Sequence, residues 1–155
     1  MNIRLTKPDG VEAVSVTIGC GDHKMTALVL SPEGGAEAAP GVLWIHGGGY
    51  ITGLKEMVYM SRAVDLVKKF GAVVVSPGYR LALRHPYPAA LKDCYAALLW
   101  MKAHAEELHI RPDQLMVGGE SAGGGLSPVT GALWHNAGSV FVGGGAALLL
   151  REKDR

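Results

Sequence analysis

The sequence holds few cysteines, and this shortage excludes several kinds of site. Two cysteines, Cys20 and Cys94, occur in 155 residues. The first lies in a glycine-flanked turn and the second in a helical pattern, so we expect neither a disulfide framework nor a metal site. A reducing compartment is the default for such a chain, and we expect a cytoplasmic protein.

The sequence also has almost no excess of positive over negative charge. Lys and Arg total 15 against 14 Asp and Glu, which gives a net charge of +1. Because no basic block occurs, nucleic acid and anionic membrane surfaces are poor candidate partners. The sequence also lacks the glycine-rich loops that bind nucleotide phosphates, and we expect no cofactor.

Long apolar runs are missing as well. The segment Met1–Gly10 has no apolar core of a secretory signal, and we expect none. The run Ala146–Leu150 is too short to span a bilayer, because a membrane helix needs about 20 apolar residues. With 48% hydrophobic and 19% charged residues, the composition is typical of a globular α/β protein.

Apolar strands alternate with helical patterns along the chain. Apolar and polar residues alternate in two early segments, which predicts an antiparallel hairpin of Val11–Ile18 with Lys24–Leu30. Short runs that are apolar on both faces predict buried parallel strands at Gly41–Ile45, Ala72–Val75 and Gln114–Gly118.

The segments between the predicted parallel strands have apolar residues at helical spacing. Apolar residues recur at three and four positions over Met57, Met60, Val64 and Val67, which predicts one helix with its methionines in the core. A second helix is predicted from Pro88 to about Ala105. This order predicts an α/β fold, with a mostly parallel sheet covered by helices on both faces.

A nucleophile-elbow motif follows the last predicted strand. Its sequence fits G-x-S-x-G over Gly119, Glu120, Ser121, Ala122 and Gly123. In this motif a tight turn between strand and helix presents the serine hydroxyl, and the helix N-terminus offers N–H groups to negative charge. For Glu120 we expect a packing or hydrogen-bonding role. Glycine-rich turns with serine are common, so the motif alone leaves a purely structural turn as an alternative.

A second glycine-rich loop follows the strand Gly41–Ile45. It consists of His46, Gly47, Gly48 and Gly49, an HGGG-type loop. Such a loop forms an oxyanion hole with the residue after the nucleophile, here Ala122. We expect His46 to hydrogen-bond within its own loop. Two strand-linked motifs in this order are far more specific than either one alone.

The two motifs and their surroundings resemble the hormone-sensitive-lipase-like esterases, the fold-3 family of α/β-hydrolases. The resemblance covers about Gly41 to Leu126, and it includes Tyr79–Ala82, His85–Leu91, Asp93 and Trp100. The family usually reads Asp-Tyr-Arg-Leu-Ala-Pro-Glu where this chain has Gly78–Arg84. The resemblance implies an α/β-hydrolase fold and hydrolysis of short-chain carboxylic esters. It covers only the N-terminal portion of the family, so the expected sheet is incomplete and lacks the C-terminal strands.

The last part of the sequence departs from the family pattern. Pro128 falls about two turns into the predicted helix after Ser121, and a glycine-rich run follows at Gly143–Leu150. We divide the chain into residues 1–126, the hydrolase portion, and residues 127–155, an atypical tail. Either Ser127–Val142 is an insertion or aberrant coding segment, or it is an ordinary divergent loop and helix.

The sequence offers no identifiable acid and histidine to complete a serine triad. In this fold the acid and then the histidine follow the serine. After Ser121 occur His135, Glu152 and Asp154, none in a motif that resembles the family's catalytic loops. We therefore expect this chain to hydrolyse esters weakly or not at all.

Two alternatives to catalysis stay open. The chain could be a non-catalytic fragment or pseudoenzyme that binds small apolar or acyl ligands. It could also self-associate, because a strand at Gln114–Gly118 without a further neighbour would be a bare sheet edge. A small-molecule ester and a second copy of the chain are thus the partners that the sequence suggests.

Overall fold

The computed structural model describes residues 5–124, which form one sheet with helices on both faces. The strands are Val11–Gly19, Lys24–Pro32, Ala39–Ile45, Val73–Pro77 and Ile110–Gly119, here β1 to β5. The helices are Ala63–Phe70 and Ala89–Ala103, here α1 and α2, with a short 3-10 helix at Lys55–Met60. The predicted α/β class is confirmed.

The sheet has the strand order β1-β2-β4-β3-β5. The hairpin of β1 and β2 is antiparallel, as predicted, and β2 continues antiparallel to β4. In the centre, Val42 of β3 lies opposite Val74 of β4 and Met116 of β5, and both pairings are parallel. The prediction of three neighbouring parallel strands is confirmed. Within residues 5–124, β5 pairs with another strand on one side only.

Each face of the central strands supplies one hydrophobic cluster. Successive side chains of a strand point to opposite faces, so a fully apolar strand serves both clusters. Helix α2 covers the cluster that contains Leu43, Val75, Val117, Leu98 and Met101. Helix α1 covers the other cluster, which contains Val42, Val74, Met116, Val64 and Val67. No helix within residues 5–124 is both long enough and apolar enough to cross a bilayer.

The prediction of one continuous helix over Met57 to Val67 is wrong. The chain forms the 3-10 helix first and then restarts as α1 after Ser61. The Ser61 hydroxyl donates to the Val58 carbonyl at 2.8 Å and accepts the Ala63 N–H at 3.1 Å. This side chain competes with the backbone for hydrogen bonds and separates the two helices. As a result Met60 is 70% exposed and is not the core residue that the spacing predicted.

The predicted tail lies outside the described residues. The division at residue 126, the insertion hypothesis for Ser127–Val142 and the position of Pro128 all fall in that part of the chain. They stay predictions.

The neighbouring residues Leu98 and Leu99 test the packing of α2 on the sheet. Leu98 is 0% exposed and Leu99 is 44% exposed. We expect Leu98→Ala to lower the free energy of unfolding by about 2–5 kcal/mol, since it leaves a cavity under the sheet. Leu99→Ala should cost less than about 1 kcal/mol, because its side chain is already partly hydrated. Urea unfolding measures both, and equal losses would contradict this packing.

Candidate active site

Ser121 occupies a strained turn between β5 and the helical residues that begin at Ala122. Its φ is +53°, in the left-handed region that residues other than glycine rarely adopt. The turn is fixed by two backbone hydrogen bonds. The Glu120 N–H donates to the Ile45 carbonyl at 3.3 Å, and the Gly123 N–H donates to the Glu120 carbonyl at 2.9 Å. The Ser121 and Glu120 side chains are both exposed, and the expected packing or hydrogen-bonding role of Glu120 stays a prediction.

The glycines on either side of Ser121 let the turn lie directly on the end of β3. A Cβ added to Gly119 would lie 2.6 Å from the Ile45 carbonyl oxygen, and one added to Gly123 would lie 2.0 Å from it. Real Cβ atoms do not approach oxygen so closely. Glycine at both positions therefore permits the backbone contact between the serine turn and β3.

The loop His46–Gly49 begins where β3 ends and passes beside the serine. A Cβ built on Gly47 would lie 3.2 Å from the Ser121 Cβ and 3.0 Å from the Glu120 carbonyl oxygen. The two glycine motifs, far apart in sequence, are thus in contact at the carboxyl ends of adjacent parallel strands. This is the edge of an α/β sheet where ligands commonly bind.

Several backbone N–H groups at this edge are free to bind a ligand. Within residues 5–124, no hydrogen bond occupies the N–H groups of Gly47, Gly48, Gly49 or Ala122. Ala122 is also the first helical residue, and N–H groups at a helix N-terminus favour negative charge. The arrangement is suited to an oxygen atom that carries or develops negative charge.

His46 is built into the loop by its own backbone and by an aromatic neighbour. Its side chain is buried, and Nδ1 lies 2.8 Å from the Gly47 carbonyl oxygen. Because a carbonyl only accepts, Nδ1 carries the proton. The ring stacks on Tyr79 at 4.2 Å between centroids, and the Tyr79 hydroxyl donates to the His46 carbonyl at 2.8 Å. Burial holds the pKa of His46 below its ordinary value. His46 is therefore a neutral structural part of the loop.

Tyr50 joins the glycine loop to the start of the helix after Ser121. Its hydroxyl donates a hydrogen bond to the Ala122 carbonyl. Its own carbonyl accepts the Ala82 N–H at 2.7 Å. The sequence analysis did not single out Tyr50, and the signal available was its position directly after the three glycines. The contact couples the loop to the elbow across a long sequence separation.

An ion pair between the partly exposed Arg80 and the buried Asp93 holds the segment that carries Tyr79. Asp93 of α2 is 0% exposed, and it accepts the Arg80 N–H at 2.9 Å and Arg80 Nη2 at 3.1 Å. The resemblance named both residues without giving their contact. Because Arg80 follows Tyr79 directly, the ion pair fixes the backbone from which Tyr79 reaches the His46 loop.

No histidine among residues 5–124 forms a hydrogen bond with Ser121. His23 contacts Asp22 and Asp93, and His104 contacts the Trp100 carbonyl. His85 and His109 are exposed. The candidates His135, Glu152 and Asp154 lie outside the described residues.

A serine presented on a strand–turn–helix beside a glycine-rich loop, on a mostly parallel sheet, defines a class of hydrolase. Comparison with known families agrees. The family model of the alpha/beta hydrolase fold matches residues 42–149, and the chain belongs to this family.

Several curated relatives and solved structures that are similar to this chain carry esterase names. Carboxylesterase NlhH of Mycobacterium tuberculosis is 42% identical over 100 residues, which are 64% of this chain and 31% of the relative. Carboxylic ester hydrolase LipN of the same organism is 42% identical over 121 residues, 77% of this chain and 31% of the relative. A solved bacterial heroin esterase superposes with a TM-score of 0.79 at 39% identity, covering 86% of this chain and 43% of that one. The chain thus spans about a third of the length of these curated relatives.

Gly123 and Gly124 test the contact between the elbow and β3. A Cβ on Gly123 would collide with the Ile45 backbone, whereas the nearest atom to a Cβ on Gly124 is 3.5 Å away. We expect Gly123→Ala to destabilise the fold by about 3 kcal/mol or more, because a backbone carbonyl must move. Gly124→Ala should be neutral or stabilising by up to about 1 kcal/mol, since alanine favours helix. Thermal unfolding of both variants is the measurement, and a harmless Gly123→Ala would contradict the geometry.

Acid should destabilise the fold through His46. The pKa of His46 is below 6.5 in the folded chain, so the unfolded chain takes up this proton first as the pH falls. The stability contribution is present above pH 6.5 and is lost as the pH falls through the lowered folded pKa. The free energy of unfolding, measured by urea from neutral pH downward, should fall less steeply in His46→Gln than in the unchanged chain. His85→Gln is the matched control, and identical slopes in all three proteins would refute the prediction.

Proposed function

We propose that the protein hydrolyses carboxylic esters, with Ser121 as the nucleophile. One observation carries the proposal: the Gly47 backbone lies against Ser121, and within residues 5–124 no hydrogen bond occupies the N–H groups of Gly47, Gly48, Gly49 or Ala122. The esterase names of the relatives support the reaction class. From the family resemblance we further propose short-chain acyl esters as the substrates.

In the proposed reaction, Ser121 Oγ attacks the carbonyl carbon of the ester. The carbonyl oxygen becomes negatively charged in the tetrahedral intermediate. Two or three N–H groups among Gly47, Gly48, Gly49 and Ala122 donate to it, and one such donor typically contributes about a hundredfold in rate or more. Collapse of the intermediate expels the alcohol and leaves an acyl-serine, which water then hydrolyses to release the acid.

The serine proton requires a base, because a free hydroxyl is a weak nucleophile at neutral pH. His46 is unsuited to this role, because within residues 5–124 it forms no hydrogen bond with Ser121 and its buried ring is stacked on Tyr79. In this fold the acid and the histidine follow the serine in sequence. We therefore place both groups after residue 124. For the 155-residue chain alone we propose turnover far below the ~10 s⁻¹ of ordinary enzymes.

Acylation of Ser121 can be tested separately from turnover. The chain is incubated with a chromogenic acetate ester and with a fluorophosphonate probe, and labelled peptides are located by mass spectrometry. We expect slow ester cleavage and a label on Ser121, both lost in Ser121→Ala. Ser15→Ala, an exposed serine of β1, is the matched control and should keep both signals.

The same experiment separates the alternatives. Labelling that persists in Ser121→Ala would refute the assignment of the nucleophile. Saturable binding of a short acyl compound without any acylation would favour the non-catalytic hypothesis. A dimer mass in solution, with neither binding nor acylation, would favour self-association through the unpaired side of β5.

A further inference from the structure

A cysteine, a histidine and an aspartate converge on the side of the sheet that α2 covers. Cys20 and His23 belong to the turn between β1 and β2, and Asp93 lies in α2. The Cys20 Sγ, one ring nitrogen of His23 and one carboxylate oxygen of Asp93 all lie within 4.8 Å of one another. The sequence analysis expected no metal site, because Cys20 lies in a glycine-flanked turn and Cys94 in a helical pattern.

Asp22 determines which nitrogen of His23 is available. His23 Nδ1 lies 3.0 Å from Asp22 Oδ1. A carboxylate only accepts, so Nδ1 carries a proton and Nε2 of the neutral ring carries a lone pair. Metal-binding histidines are commonly held in this way, with a carboxylate on the other ring nitrogen.

The Nε2 atom of His23 is buried against Asp93 without a hydrogen bond. It lies 2.9 Å from Asp93 Oδ1, yet the contact lacks hydrogen-bond geometry and Nε2 has no such partner within residues 5–124. A hydrogen bond needs the oxygen along the N–H direction, whereas an ion bound to both atoms needs the oxygen off that direction. The contact therefore suits a shared cation better than a shared proton.

The distances are compatible with a tetrahedral ion. Bonds of ~2.0–2.1 Å to nitrogen and oxygen place two such ligands about 3.3 Å apart, and bonds to sulfur are ~2.3 Å. The observed 2.9 Å between nitrogen and oxygen and the 4.8 Å limit for the set require movements of up to about 1.2 Å. Cys20 lies in a partly exposed turn, which can accommodate such a movement.

Charges around the cluster set the expected affinity. Asp93 already accepts hydrogen bonds from Arg80, whose positive charge opposes a second cation. Against it stand the Asp93 and Asp22 carboxylates and a Cys20 thiolate, which forms when the thiol proton is released to solvent. A carboxylate has lone pairs for both Arg80 and an ion. The balance favours moderate affinity over a permanently filled structural site.

We infer that Cys20, His23 and Asp93 form a binding site for a zinc-class divalent ion, with Asp22 orienting His23. Thiolate and imidazole together select Zn²⁺ over Mg²⁺ or Ca²⁺, and three protein ligands leave one position for water. The ion would tie the β1–β2 turn to α2. Because Asp93 also holds Arg80, the site adjoins the ion pair that fixes Tyr79 under the glycine loop.

The test is Zn²⁺ binding to the chelator-treated 155-residue chain, followed by calorimetry and by competition with a chromogenic chelator. We expect one ion per chain and a rise in melting temperature, because the folded state binds it. Cys20→Ser and His23→Gln should each weaken binding at least about tenfold, and Asp22→Asn should weaken it by about 10-fold. Co²⁺ should give a thiolate charge-transfer band that is lost in Cys20→Ser.

The controls keep the inference falsifiable. His85→Gln removes an exposed histidine away from the cluster and should leave Zn²⁺ affinity unchanged. Asp93 is left intact, since its loss would also release Arg80, and circular dichroism checks that each variant folds. No binding to the unchanged chain, or binding that survives both Cys20→Ser and His23→Gln, would overturn the site.

Discussion

The carbonyl of Ile45 is the point on which the site depends. It ends β3, accepts the Glu120 N–H, and faces Gly119 and Gly123 at distances that exclude any side chain. Parallel strands end at the same edge of the sheet. This one contact therefore fixes the position of Ser121 at that edge and its distance from the loop that follows Ile45. Strain at Ser121 is a consequence, since the turn must fold back within a few residues to stay on β3.

A second set of contacts holds the glycine loop that follows Ile45. Asp93 fixes Arg80, the adjacent Tyr79 stacks on His46 and donates to its carbonyl, and Tyr50 donates to Ala122. Each contact joins elements that are distant in sequence. Together these contacts hold the glycine loop in a fixed position relative to α2 and to the helix after Ser121. The N–H groups of the loop therefore keep fixed directions, which they would not do in a flexible loop.

The central fold and the backbone of the site could be predicted because their signals are local. A run such as Gly41–Ile45, apolar on both faces, identifies a buried strand, and glycines around Ser121 identify a turn that needs them. Met60 shows where periodicity fails, because one Ser61 hydroxyl ended the helix and turned that side chain to solvent. The convergence of Cys20 with Asp93 had no local signal, and the signal for Tyr50 was limited to its position directly after the three glycines. Both arise from tertiary contacts that only the folded chain defines.

The free donors around Ser121 belong to the main chain, and this affects how the protein can diverge. Exposed apolar side chains of the segment after the glycine loop, such as Ile51 and Leu54, can change without removing a single N–H group. The glycines under the turn have no such freedom, because their constraint is the Ile45 backbone itself. The exposed side chains can therefore change while another set of residues keeps the geometry of the serine turn. Under the proposed function, a family built on this plan can diversify its substrates and keep its chemistry.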